Sequence, residues 1–118
     1  MSRRKIVYAP DYREKLIQLR DSLDTDYGQA TRRKILLEID QHIQHLKQYP
    51  FLGISVRAMY GIECDYYYLH VGKNVVFYSV GDLEIAVLNM YNDREEYLIK
   101  FLGSRTKLNE EEASWTEK

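Results

Sequence analysis

One stretch, Asp65 to Tyr78, reads DYYYLHVGKNVVFY and constrains this chain more than any other. Apolar and polar side chains alternate on both sides of Gly72-Lys73, the pattern of two antiparallel strands joined by a tight hairpin. Residues two apart share a face of a strand. Tyr67, Leu69 and Val71 therefore fall on one side and Tyr66, Tyr68 and His70 on the other, while Val76, Tyr78 and Val80 oppose Val75, Phe77 and Ser79 after the turn. The more aliphatic set is expected to rest on helices. The Tyr/His set is expected to form the face where a partner or substrate is met.

Around this hairpin the remaining segments take their places. Ile6 to Tyr8 is short, β-prone and stopped by Pro10, which predicts an edge strand. Pro10 or Asp11 then opens a helix, because proline is tolerated in a first turn and an acid suits the positive end of the helix dipole. Tyr12, Leu16, Leu19 and Leu23 recur at spacings of four, three and four, an apolar stripe. Turn formers at Asp24 to Gly28 separate it from a second helix, Gln29 to Gln48, whose buried side is marked by Ile35, Ile39, Ile43, Leu46 and Tyr49. So short a link makes an antiparallel helical hairpin. Beyond Pro50 and Gly53 the period changes to two: Ile54, Val56, Ala58 and Tyr60 alternate with Ser55, Arg57 and Met59, which predicts a further strand. With the central hairpin and Leu83 to Tyr91, this makes four strands in succession, an antiparallel meander. Asn92-Asp93 can cap a final short helix carrying Tyr97, Leu98, Phe101 and Leu102, with Gly103 ending it.

The fold class that follows is α+β: an N-terminal strand, a helical hairpin packed on one face of a curved sheet, a four-stranded antiparallel meander and a short C-terminal helix. At 118 residues the chain is one domain, long enough to bury about two-thirds of its unfolded surface. That domain is assigned to residues 1–102, with 103–118 as a polar, mobile tail in which Leu108 and Trp115 are the large apolar residues. The apolar content of 45% holds no run of the length that crosses a membrane, and the start MSRRKIVYAP has no apolar segment or small-residue cleavage site. The single cysteine, Cys64, has no internal disulfide partner. A cytoplasmic location without membrane contact is expected.

Charge is balanced, −1 in total, so a nucleic-acid surface would have to be local. Of the aromatic residues 11 are Tyr against 3 Phe and 1 Trp, which suits both a sheet core with its rim and an interface, since the phenol joins an apolar ring to a polar tip. Arg32-Arg33-Lys34 reads as a solvated helix face. His42 and His45 stand three apart without a third ligand at suitable spacing, so no metal is expected. Gly-rich phosphate loops, paired-cysteine motifs and nucleophile elbows do not occur in the sequence, and no cofactor is implied.

The order of these parts resembles the RelE/ParE superfamily of type II toxins. The marks are YAP at Tyr8 to Pro10, YPFLG at Tyr49 to Gly53, VRAMY at Val56 to Tyr60 and YYLHVGKNVVFYSV at Tyr67 to Val80, and the resemblance covers Lys5 to Leu102. It implies a small bacterial toxin neutralised by a cognate antitoxin, causing growth arrest when released and serving, in such systems, plasmid stabilisation. One branch of the superfamily cuts mRNA in the ribosomal decoding site; the other poisons DNA gyrase.

For the cutting branch the resemblance implies a concave sheet face bearing cations, where phosphoryl transfer is helped by positioning and by positive charge placed where negative charge grows. Arg57 and Arg94 stand where the family commonly keeps Arg, whereas Tyr68, His70 and Val75 occupy positions where it often has basic residues. Mapped onto this chain, Arg57 and Arg94 would hold and neutralise the scissile phosphate, His70 would be the general acid or base, and Tyr66, Tyr68 or Tyr97 would stack on a nucleotide. The bland reading of the same residues is a rim histidine and two arginines paired with Glu63 or Glu95. The resemblance thus implies first a RelE-like, ribosome-dependent mRNA endonuclease. The alternatives are a ParE-like gyrase inhibitor and a non-catalytic module that binds its antitoxin and represses its own operon.

Overall fold

Proline at a first helical turn and glycine between two apolar stripes set the N-terminal half. The computed structural model describes residues 4–26 and 28–105; the expected tail beyond Arg105 lies outside the described residues. Strand β1 (Lys5–Tyr8) leads into helix α1 (Pro10–Asp26), and helix α2 (Gln29–His45) follows Gly28, whose φ of 91° is open to glycine at little cost. The stripe of α1 packs as its spacing predicts, with Tyr12 and Leu23 buried and Leu16 and Leu19 against the core. In α2, Ile39 and Ile43 are buried, as is Leu46 just past its end. Each such aliphatic side chain contributes about 1.5–3 kcal/mol on burial. The helix stops at His45 and not at Gln48, and Tyr49, expected on the buried side, is exposed in the turn that follows.

The meander consists of β2 (Ile54–Ser55), β3 (Tyr66–Val71), β4 (Asn74–Val80) and β5 (Glu84–Asn92), and β1 joins it parallel to β5, giving the order β1-β5-β4-β3-β2. The central hairpin forms in the register its alternation requires, Tyr67 opposite Tyr78 and His70 opposite Val75, around Gly72 at φ 61°. One expected strand is mostly absent. After Ser55 the chain turns into a short helix, α3 (Val56–Tyr60). Ser55 Oγ accepts the amide of Ala58 at 3.1 Å, and Gly61, left-handed at φ 69°, returns its amide to the carbonyl of Arg57. An N-cap and a glycine C-cap outweigh the alternation.

The two sheet faces carry separate cores. On the first, Leu69, Val71, Val76, Tyr78, Ile85, Val87 and Met90 meet Tyr12, Ile39, Ile43 and Leu46 of the helical hairpin. On the second, Tyr68, Val75, Phe77, Leu88 and Tyr91 are closed over by Val56 of α3 and by Phe101 of helix α4, residues 97–105. Helices therefore cover both faces, not one. Gly103 lies inside α4, which runs on to Arg105. A register shift in β5 opposite Phe77 and Tyr78 supplies one extra residue. A single inserted residue reverses inside and outside along the rest of a strand. Ile85 and Val87 accordingly face the hairpin helices, while Tyr91 reaches the α4 side.

Candidate functional site

The second face is where the sequence puts its candidates, and the three tyrosines there hold different positions. Tyr68 is only 4% exposed. Its ring lies 5.6 Å from Phe77 and 5.9 Å from Tyr97, and burial followed by a hydrogen bond with Tyr60 pushes its phenol well above the usual range. Such a phenol stays neutral, and its ring face is enclosed. Tyr66 is half-buried, edge-on to Phe101 at 5.0 Å, and its hydroxyl accepts Arg105 Nε at 3.3 Å. Tyr97 is half-buried at the start of α4, also hydrogen-bonded with Tyr60, and desolvation raises its phenol as well. Tyr60 thus joins Tyr68 and Tyr97 in one hydroxyl cluster, a grouping between residues far apart in sequence.

The cationic candidates divide between the two ends of β3. At one end His70 is half-exposed, 46% by side chain, with Nε2 3.3 Å from Oδ2 of Asp93. Asp93 donates its amide to the carbonyl of Lys73 at 2.8 Å, which ties the turn after β5 to the β3–β4 hairpin and brings exposed Arg94 to the same end. That turn is held by Asn92, whose Oδ1 accepts the amide of Arg94 at 2.9 Å and whose own amide is bound by Glu95 Oε2 at 2.7 Å. At the other end, on α3, Arg57 donates from Nε to the carbonyl of Cys64 at 3.2 Å and pairs through Nη2 with Asp65 at 3.4 Å. Asp65, just before β3, and His70 within it stand five positions apart, about 16 Å at the usual rise per residue. The fold brings His70 and Arg94 to one end and leaves Arg57 at the other.

Each of two candidates thus has a carboxylate against it, Asp65 at Arg57 and Asp93 at His70, neither of which the sequence singles out as a partner. The bland reading pairs the two arginines with Glu63 or Glu95; Glu95 pairs with Lys100 at 2.9 Å. A carboxylate beside each group lowers the positive potential that a phosphate diester would feel. Chemically, the His70–Asp93 arrangement can orient an imidazole for proton transfer. Among the described residues no three His, Cys, Asp or Glu side chains gather as a metal site, and no helix is long and apolar enough to cross a membrane.

On the opposite face the helical hairpin carries a separate hollow of about 460 Å³, lined by Tyr8, Tyr12, Arg13, Leu16, Ile17 and Asp40 among others. It adjoins a second, more open one that shares Arg20, Leu36 and Asp40. Ile17 and Leu37 along these hollows are exposed.

Comparison with known proteins fits this architecture. Residues 6–97 match the family model described as the ParE toxin of the type II toxin-antitoxin system, parDE. The fold is similar to that in a structure of the chromosomal ParDE toxin-antitoxin system from P. aeruginosa, with a TM-score of 0.62, 15% identity, and coverage of 75% of this chain and 95% of that one. It is also similar to the YoeB dimer from Staphylococcus aureus, with a TM-score of 0.51, 16% identity, and coverage of 75% and 94%. No curated protein sequence matches the chain at a significant level.

Proposed function

This chain belongs to the ParE toxin family of type II toxin-antitoxin systems, and we propose that it acts as a ParE-like inhibitor of DNA gyrase and does not cut RNA. The observation that carries this reading is the separation of the candidates, two of which have a carboxylate beside them: Arg57 against Asp65 at one end of β3, His70 against Asp93 at the other. Catalysis of phosphoryl transfer depends on cations preorganised around one phosphate. A toxin that works by holding a protein target needs no such cluster. The burial of Tyr68 beneath α4 supports the same reading, because it removes a ring on which a base would stack.

The antitoxin is the second partner. Its seat, in this reading, is the hairpin-helix groove, where exposed Ile17 and Leu37 alternate with Arg13 and Arg20. That mixture suits an amphipathic segment bearing acidic side chains.

One observation favours a second reading, ribosome-dependent mRNA cleavage: the exposed imidazole of His70 has a carboxylate at its Nε2 and Arg94 in the adjoining turn. In that case His70 moves the proton, Arg94 and Arg57 hold the phosphate, and Tyr66 or Tyr97 meets a base. Expression without antitoxin separates the two. Growth arrest with double-strand DNA breaks and an induced DNA-damage response, undiminished by His70→Ala, supports gyrase inhibition. New 5′ ends in ribosome-bound message, with cleavage lowered about 10²-fold or more by His70→Ala, supports the nuclease and overturns the first reading.

A further inference from the structure

Asn74 and Asn89 are the buried polar residues of the described chain, and they are served differently. Asn89 is satisfied: its Nδ2 donates to Tyr91 Oη at 3.1 Å and its Oδ1 accepts the amide of Met90 at 2.8 Å. Asn74 is only 8% exposed, yet its carboxamide makes no hydrogen bond with another described residue. Among the described residues no fully enclosed side-chain nitrogen or oxygen lacks a partner, so this carboxamide opens onto free space.

That space is identified by register. Asn74 stands opposite Val71 on β3 and Asn92 on β5. Directly opposed residues share a sheet face, and Val71 belongs to the core under the helical hairpin. The carboxamide therefore points into a hollow of about 440 Å³ between α1, α2 and the β3–β4 turn. The floor is aliphatic: Leu19 and Leu23 of α1, Ile35 and Ile39 of α2, and Val71. At the rim stand exposed Lys73 and Glu38, one charge of each sign, and Asn92. Asn92 Oδ1 already accepts the amide of Arg94, which leaves its Nδ2 as a donor. No residue is shared with the hairpin groove assigned to the antitoxin.

An apolar enclosure with a few placed polar groups is the usual form of a ligand site. A carboxamide without a partner offers a donor and an acceptor on one edge. Two kinds of group match it, a peptide amide and the edge of a nucleobase. Bases are held by stacking on aromatic rings, and no aromatic side chain is among the described residues that line this hollow. Branched aliphatic walls suit an aliphatic side chain, and opposite charges at the rim favour no ion.

We propose that this hollow is a peptide socket, which takes one leucine-sized side chain of a partner protein on its aliphatic floor. The main-chain amide of that residue pairs with the Asn74 carboxamide, and Asn92 Nδ2 donates to an adjoining carbonyl. The partner thereby supplies the hydrogen bonds that burial denies Asn74. The socket is independent of which target the toxin has.

The test titrates the isotope-labelled full chain with N-acetyl-leucine N-methylamide and follows the side-chain amide signals of Asn74 and Asn92 by NMR. For a ligand of about thirteen non-hydrogen atoms the dissociation constant should be on the order of 1 mM. Saturable shifts at both residues are expected, and the N-acetyl-glycine analogue should bind about tenfold or more weakly for want of the aliphatic side chain. Asn74→Leu, which keeps the size and removes the carboxamide, should weaken the leucine compound about tenfold. Absence of saturable shifts in the unaltered chain overturns the proposal. So do equal affinities for the leucine and glycine compounds, undiminished binding by folded Asn74→Leu, or shifts produced by adenosine and not by the leucine compound.

Discussion

Phe77 in β4 and Phe101 in α4 stack with centroids 4.1 Å apart and planes 9° from parallel, and both are fully buried. This contact closes the sheet face that alternation alone leaves open. Tyr66 meets the same Phe101 edge-on, so α4 is part of the core and not an appendage.

Phe101→Ala should therefore cost about 3–5 kcal/mol, the range for deleting a buried aromatic ring. Urea unfolding checks the value. A loss below about 1 kcal/mol would mean that α4 contributes little to closing that face.

Two glycines should respond to alanine with opposite sign. At Gly53 an added Cβ would meet the carbonyl oxygen of Tyr68 and the hydroxyl of Tyr78, each at 2.7 Å, and it would disturb the Gly53 amide that donates to Tyr78 Oη at 2.9 Å. The Tyr78 phenol is buried on the hairpin-helix side and pushed up to about 12 by desolvation, and this amide donates to its oxygen. Gly53→Ala should destabilise by about 1–3 kcal/mol, as overpacking does. Gly103 sits within α4, and among the described residues nothing outside its own helix turn lies within 4 Å of the added carbon. Gly103→Ala should stabilise by about 0.5–1 kcal/mol, the helix-interior difference between the two residues. Thermal unfolding of the two variants checks both signs.

Acid should weaken the turn that carries Asp93 and Arg94. The amide of Asn92, and then the ammonium of Lys100, hold the Glu95 carboxyl below its ordinary value of 4.5. A carboxylate with a depressed folded value adds stability above its unfolded value and loses it as pH falls through the folded one. Stability should thus decline below about pH 4.5 by an amount that Glu95→Gln removes. Equal acid slopes in the two proteins, read from denaturant midpoints against pH, would exclude this contribution.

How much of this was readable beforehand depends on the range of the interactions. The Asp65–Tyr78 hairpin is legible because side-chain period and turn residues agree within fourteen neighbours. The stretch after Gly53 is not, because Val56 and Tyr60 satisfy both the period of a strand and the four-residue spacing of a helix, and the decision falls to Ser55 and Gly61. That Tyr97, Leu98 and Phe101 form an apolar helix face is visible; which sheet face they cover is fixed by packing against Phe77, some 24 positions away. The site is harder still. His70 finds Asp93 across 23 positions and Arg57 finds Asp65 across eight, and no periodicity encodes either pairing. The register shift that turns Tyr91 toward α4 leaves only a break in the alternation at Leu88-Asn89 as its mark.

The most direct test mixes the purified 118-residue chain with DNA gyrase, ATP and plasmid DNA, and separately with ribosomes translating a defined message. Loss of supercoiling with accumulation of linear plasmid bound to gyrase, and intact message, is the expected result. Message cut at the ribosome with gyrase turning over normally would contradict it.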